Sequence, residues 1–223
     1  VLDSSPSVVA VPRILLVGPA TFDPENYLGL STSPEVPVFV LPGVVFGSDN
    51  IENSVDYEYA LLFGLDDIPD AAVGRIPAEN PTELQTAVQR LLEYETLEQQ
   101  LISTQREAVF IADDSSEFID DQPMWINRWQ QTGRDHVRID LDSTDYTPAF
   151  TALETALEST DGAMLALYTG HGNTDRWSSS FFTSSDIPNM DTNLRWPFAA
   201  TFTCLNGYHA YPGGDRCLAE EWF

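Results

Sequence analysis

Two stretches decide the fold: residues 163–168 (AMLALY), running into Thr169-Gly170-His171-Gly172, and residues 198–203 (FAATFT), running into Cys204-Leu205-Asn206-Gly207. Each is a short apolar run cut off by a polar cluster containing glycine. That is the pattern of a strand buried on both faces of a parallel sheet, ending at a functional loop. Residues 108–112 (AVFIA), ending in Asp113-Asp114, repeat it.

Further strands are read at 13–18 (RILLVG), buried on both faces, at 36–41 (VPVFVL), near an edge or a turn because prolines bracket it, at 71–76 (AAVGRI) and at 136–141 (HVRIDL). An acidic loop, 48–56, precedes the run 57–63 (YEYALLF). The clearest helix starts at Asn80, where Asn80, Pro81 and Glu83 supply an N-cap, an N1 proline and the acid of a capping box. Its Leu84, Val88, Leu91 and Leu92 form one stripe, expected to pack on a sheet. A second helix is read over 123–131, and Phe150, Leu153, Ala156 and Leu157 mark a third. Strands alternating with helices predict an α/β fold, with a mainly parallel sheet covered on both faces. In such folds the site lies at the carboxyl ends of the strands. Three loops are thereby singled out: those at Asp113-Asp114, at 169–172 and at 204–207.

Composition narrows the chemistry. The 223 residues are 43% hydrophobic and carry 35 acidic against 10 basic side chains, a net charge of −25. All ten basic residues are arginine, so a Walker-A lysine, a Schiff-base lysine and a Ser/Lys dyad are excluded. A polyanion would meet a strongly negative surface, which argues against nucleic acid as a partner. No GxGxxG follows a strand, and no HExxH or CxxC spacing suggests zinc. No apolar run reaches eighteen residues and no signal peptide is visible. The chain starts without Met and stops within an apparent helix, the expectation for a piece of a longer, exported precursor. The acidity reads first as solubility. Calcium on the acidic loops 49–56 and 66–70 is compatible with it, although none matches an EF-hand.

Of the three histidines, His136 lies in an alternating strand and His209 in a Tyr/Gly/Pro loop, both structural settings. His171, between two glycines, sits where the backbone can turn tightly and another group can approach closely. Cys204, read at the end of a buried strand, is by itself a small apolar residue. The two together suggest more. If their strands are parallel neighbours, the strand ends lie about 5 to 10 Å apart, so thiol and imidazole share one cleft. An imidazolium stabilises a thiolate, and glycine amides can receive an oxyanion, which together suffice for acyl transfer. A disulfide between Cys204 and Cys217 stays open, with the strand-end setting of Cys204 against it.

The segment LALYTGHGNTDRW, followed by Cys204 in PFAATFTCLNG, resembles the gingipain-like cysteine peptidases, peptidase family C25 of the caspase-like clan. ILLVGPATFDPENYLG, GLDDIPDAAVGRIPAENPTELQTAVQRLLEYE, AVFIADD and CLAEEWF are similar to further family segments in the same order. The resemblance implies a caspase-like three-layer α/β/α domain spanning 1–223 and hydrolysis of peptide bonds in proteins or peptides. It implies Cys204 as nucleophile, His171 as proton donor, and the amides of Gly172 and Cys204 as oxyanion donors. Asp114 is the implied catalytic acid, with Asp113 as runner-up because an ungapped comparison puts Ser115 at that place. A secreted or cell-surface location, no cofactor for the chemistry and optional structural calcium complete the expectation. Asp120, Asp121 and Asp215 could each supply a carboxylate for a basic substrate residue, and Trp177 could line a subsite or pack. Rival readings are a non-catalytic binding or secretion module, and a sortase-like transpeptidase using the same dyad.

Overall fold

The computed structural model describes residues 11–21, 23, 25–29, 36–42, 52–100, 106–192, 195–210 and 216–222. They divide into two compact units, Val1–Leu84 and Gln85–Phe223.

In the first unit, β1 (Arg13–Val17) and β2 (Ala20–Thr21) precede β3 (Val36–Pro37), β4 (Phe39–Pro42), β5 (Glu52–Val55) and β6 (Ala72–Ile76). β1 pairs in parallel with β6, β2 with β3, and β4 forms an antiparallel pair with β5. Three expectations change here. The strand at 13–18 is not buried on both faces, since Leu15 is 62% and Val17 43% exposed. The run 36–41 breaks in two at Val38, next to a proline that cannot donate to a ladder. Part of the acidic loop is itself a strand, β5, while residues 48–51 lie outside the described ones. The run 57–63 begins as a 3₁₀ turn, Tyr57–Ala60.

Arg75 in β6 ties this unit together. Its Nε and Nη2 grip both oxygens of Asp56 at 2.8 and 2.7 Å, and its Nη1 donates to the carbonyls of Gly18 and Val36, each at 3.1 Å. A planar fork that satisfies a carboxylate and two carbonyls at once is work that arginine does and lysine cannot.

α1 (Pro81–Gln100) begins as its sequence demands. Asn80 Oδ1 accepts the amides of Thr82 and Glu83, both at 3.1 Å, and Glu83 reaches back to the amide of Glu79 at 3.0 Å. Its apolar stripe behaves otherwise than expected: Ala87 is buried, whereas Val88, Leu91 and Leu92 are exposed.

The second unit holds the main sheet. β7 (Glu107–Ala112), β8 (His136–Asp140), β9 (Ala163–Thr169) and β13 (Phe198–Phe202) pair in parallel in the order β13-β9-β7-β8. Side chains of β7 alternate between two cores. Val109 and Ile111 join Leu153, Leu157, Tyr168 and Trp177 on one face, where α3 (Thr147–Leu157) packs. Ala108 and Phe110 join Ile126 and Leu167 on the other, under α2 (Ser116–Gln130). Helices on both faces of a parallel sheet give the expected α/β/α layering. α2 starts seven residues ahead of the predicted 123, with Pro123 inside it rather than at its first turn.

β13, the partner of β9 at one edge, is not the buried strand its composition suggests: Phe198 and Phe202 are largely exposed. Between β9 and β13 the chain builds a small antiparallel sheet of β10 (Gly172–Asn173), β11 (Arg176–Trp177) and β12 (Phe182–Thr183), which the sequence reading left blank. α4 (Leu218–Glu221) follows, at the place where a helix start was read.

Leu153 is fully buried in the larger core, so Leu153→Ala should cost about 2–5 kcal/mol in chemical denaturation. Asp56→Ala, which strands the buried Arg75 guanidinium, should cost about 3–5 kcal/mol by the same measurement.

Candidate active site

The connection leaving β7 runs through α2 to β8, whereas the chain leaving β9 goes the opposite way, to β13. In open α/β sheets the ligand crevice belongs where two such connections diverge, which here is at the carboxyl ends of β7 and β9. Asp113-Asp114 follow the first strand and Thr169-Gly170-His171 end the second.

Register then brings the third loop in. Thr169 pairs with Phe202, and the Gly170 amide donates to the Phe202 carbonyl at 3.2 Å. Two residues further on each strand stand His171 and Cys204, both exposed. A Cβ built on Gly172 would collide with Thr203 Oγ1 and lie 3.3 Å from the Cys204 carbonyl oxygen. One on Gly170 would lie 2.5 Å from the Asp113 Cβ. Both glycines flanking His171 are therefore required by close approach of neighbouring chain, and neither has a positive φ.

The Cys204 loop is strained and anchored. Leu205 has φ +64°, a left-handed conformation that non-glycine residues adopt at a cost of about 1–3 kcal/mol and that clusters at functional sites. Buried Asn206 holds it there, its Nδ2 donating to the carbonyls of Asn173 and of Arg176, the latter at 3.0 Å, on the hairpin that follows His171. The Ala219 amide donates to the Asn206 carbonyl at 3.1 Å, which ties α4 to the same loop.

The two acids after β7 part company. Asp113 is 1% exposed and Asp114 exposed. Oδ2 of Asp113 accepts the His171 amide at 3.0 Å, and its Oδ1 accepts the Ser178 hydroxyl at 3.0 Å and the Asp114 amide at 2.9 Å. The His171 ring meets Phe118 of α2 edge-on, with centroids 5.2 Å apart. Ser178, Tyr168 and Phe118 were not singled out from sequence. Tyr168 ends an obvious strand, but nothing in the order of residues marks its hydroxyl or Ser178 as partners of the histidine loop.

Other expectations resolve plainly. Trp177 is fully buried and stacks on Tyr168 at 4.7 Å, so it packs. His136 meets Phe110 edge-on in the sheet, and His209 lies in the loop beyond Asn206. Cys204 and Cys217 are free thiols. Burial, followed by the charge of Glu220, pushes the Cys217 thiol up to about 12. Asp120 and Asp121 are exposed on α2, and Asp215 lies outside the described residues. Of the acidic loops, Asp56 is engaged by Arg75 and Asp70 Oδ2 accepts the amides of Leu62 and Phe63. Among the described residues no cluster of three or more His, Cys, Asp or Glu side chains is arranged to hold a metal ion, and no helix is long and apolar enough to cross a membrane.

Known proteins resemble the chain in sequence and in fold. Gingipain R2 of Porphyromonas gingivalis is 25% identical over 194 residues, covering 83% of this chain and 24% of that protein. Gingipain R1 of the same organism is 24% identical over an equal share of this chain and 18% of its own length. The chain thus spans about a quarter or less of these relatives. The crystal structure of the Arg specific cysteine proteinase gingipain R superposes with a TM-score of 0.69 at 20% identity, over 94% of this chain and 44% of that one. The complex of RgpB pro- and mature domains from Porphyromonas gingivalis gives 0.71 at 20% identity, over 97% and 46%. These structures establish the shared fold, caspase-like and α/β. The family described as Peptidase family C25 matches residues 3–223, and the chain belongs to that family.

Proposed function

We propose that this chain is the gingipain-like catalytic domain of a cysteine endopeptidase. The observation that supports the reading is the parallel pairing of β9 with β13, whose chains run on past the same edge of the sheet into His171 and an exposed Cys204.

In this reading the Cys204 thiol loses its proton to His171 and the thiolate sulfur attacks the scissile carbonyl carbon. The C–N bond then breaks as the imidazolium returns the proton to the leaving amine, giving a thioacyl-enzyme. Water, deprotonated by the imidazole, hydrolyses the thioester and frees the carboxylate product and the thiol. The amides of Gly172 and Cys204 receive the oxyanion. Asp114, the exposed carboxylate that follows β7, serves in this reading as the acid partner of the imidazole. No cofactor enters these steps. The reading takes 1–223 as one catalytic domain, with proteins or peptides as substrates and a secreted or cell-surface setting that suits the acidic composition.

The test is cleavage of a fluorogenic peptide library varied at P1, basic residues included because the solved relative is Arg specific. Cys204→Ala should remove at least about a thousandfold of kcat/KM with the fold intact, and His171→Ala a comparable amount. Cleavage surviving in folded Cys204→Ala overturns the assignment. Capture of the acyl group by an added amine in place of water identifies a transpeptidase. No cleavage by the folded wild-type chain or by a longer form favours a non-catalytic module. A second measurement bears on the thiol alone. At pH 8 the native protein should react rapidly with a thiol reagent at Cys204, while Cys217, buried and protonated, reacts only after denaturation.

A further inference from the structure

We propose that Asp113, together with Ser178 and Tyr168, is a positioning residue that fixes His171 through its main chain. The proposal rests on the reading of His171 as the proton-transfer group.

Both peptide groups of His171 are gripped. Its amide donates to Asp113 Oδ2 at 3.0 Å, and its carbonyl accepts the Tyr168 hydroxyl at 2.6 Å and the Ser178 amide at 2.7 Å. The gripping groups are joined to one another. The Ser178 amide donates to the Tyr168 oxygen at 3.0 Å, and the Ser178 hydroxyl donates to Asp113 Oδ1 and lies 3.0 Å from the Tyr146 hydroxyl. Ser178 reaches this position with φ +48°, a second non-glycine residue in the left-handed region beside the site. Burial and the neighbouring Asp113 charge drive the Tyr168 phenol far above its ordinary range, so it remains a donor at every working pH.

Among the described residues the carboxylate at the centre has no cation as a partner. It is held by donors from the His171 amide, the Asp114 amide and the Ser178 hydroxyl, with the Tyr168 hydroxyl at 3.4 Å. A group withdrawn from water in this way tolerates little displacement, because each lost hydrogen bond leaves a buried polar atom unmet. The direction of the bonds also separates this role from that of a catalytic acid. Asp113 touches the backbone of His171 and not its ring. The rigidity is passed to the imidazole through one side chain, whose ring rests against Phe118.

Asn at position 113 conserves size but cannot serve. One of its two heads is an NH2 group, which must face either the Asp114 amide or the His171 amide, donor against donor. The experiment compares wild type, Asp113→Asn and Ser178→Ala in three readouts: kcat and KM for a cleaved peptide, the pH profile of Cys204 alkylation by iodoacetamide, and hydrogen exchange of the His171 amide. Expected are a fall in kcat of about 10- to 100-fold with KM within about threefold, a low-pH alkylation arm weakened relative to wild type, and faster exchange at His171. Ser178→Ala, which removes one of the donors to Asp113 together with the bond to the Tyr146 hydroxyl, should show the same changes to a smaller extent and covers the case in which Asp113→Asn does not fold. Folded variants with unchanged kcat and an unchanged alkylation profile overturn the proposal, as does a His171 amide that exchanges freely in the wild-type protein. Wild type that neither cleaves peptides nor shows a low-pH alkylation arm overturns the catalytic reading itself, and with it the positioning role, while leaving the protected amide visible as a structural bond.

Discussion

The pairing of β9 with β7 on one side and β13 on the other is the interaction from which the rest follows. Parallel strands need crossovers, and the crossovers here leave β7 and β9 in opposite directions, so their carboxyl ends mark the place where open α/β sheets leave room for a ligand crevice. One set of ladder bonds thereby sets the position of three loops that are distant in sequence. The apolar burial that holds β7 on both faces is what fixes the register. A slip of one residue would exchange the Val109 and Ile111 face for the Ala108 and Phe110 face, an exchange that two differently shaped cores resist.

Beneath that crevice lies a second constraint, polar where the first is apolar. Asp113 is taken out of water with no counter-cation among the described residues, and its hydrogen-bond donors come from its own neighbour, from the end of β9 and from the chain after β11. The aromatic stack of Trp177 on Tyr168 closes the apolar side of the cluster and keeps the Tyr168 hydroxyl directed at the His171 carbonyl. Apolar packing and polar satisfaction therefore agree on one arrangement of the histidine loop. Asn206 does the corresponding work for the cysteine loop by bonding to the hairpin that begins at Gly172.

What the sequence showed and what it hid divide along the same line. Strands β7, β8 and β9, the α3 stripe and the Asn80 cap were legible because period and capping chemistry are local. The sequence offered His171 and Cys204 as neighbours only on the condition that their strands pair in parallel, and the β9–β13 ladder meets that condition of strand order. Hidden were features set by partners far along the chain. The α1 stripe is apolar, yet most of it is exposed. β13 has the composition of a central strand and lies at an edge. Pro123 suggested a helix start and stands inside one. Above all, Asp113 and Asp114 are identical letters in adjacent positions, and only the fold tells the buried hub from the exposed carboxylate.

The two cysteines show the same lesson in chemical terms. Cys217 opens a short helix with its thiol out of water beside Glu220, so burial and like charge both hold it protonated. Cys204 stands at the end of an exposed edge strand, ahead of a leucine in a conformation that leucine resists. A strained loop persists only where surrounding bonds over-determine it. Here the Asn206 bonds to two carbonyls, and the Ala219 amide on the Asn206 carbonyl, supply that excess. The thiol is thus kept at the surface by an anchor two residues away. His171 is handled alike: its backbone is gripped by buried groups while its ring remains exposed. Both side chains are therefore located by main-chain bonds made underneath them, and under the proposed peptidase reading a substrate would meet two groups whose positions are set before it arrives.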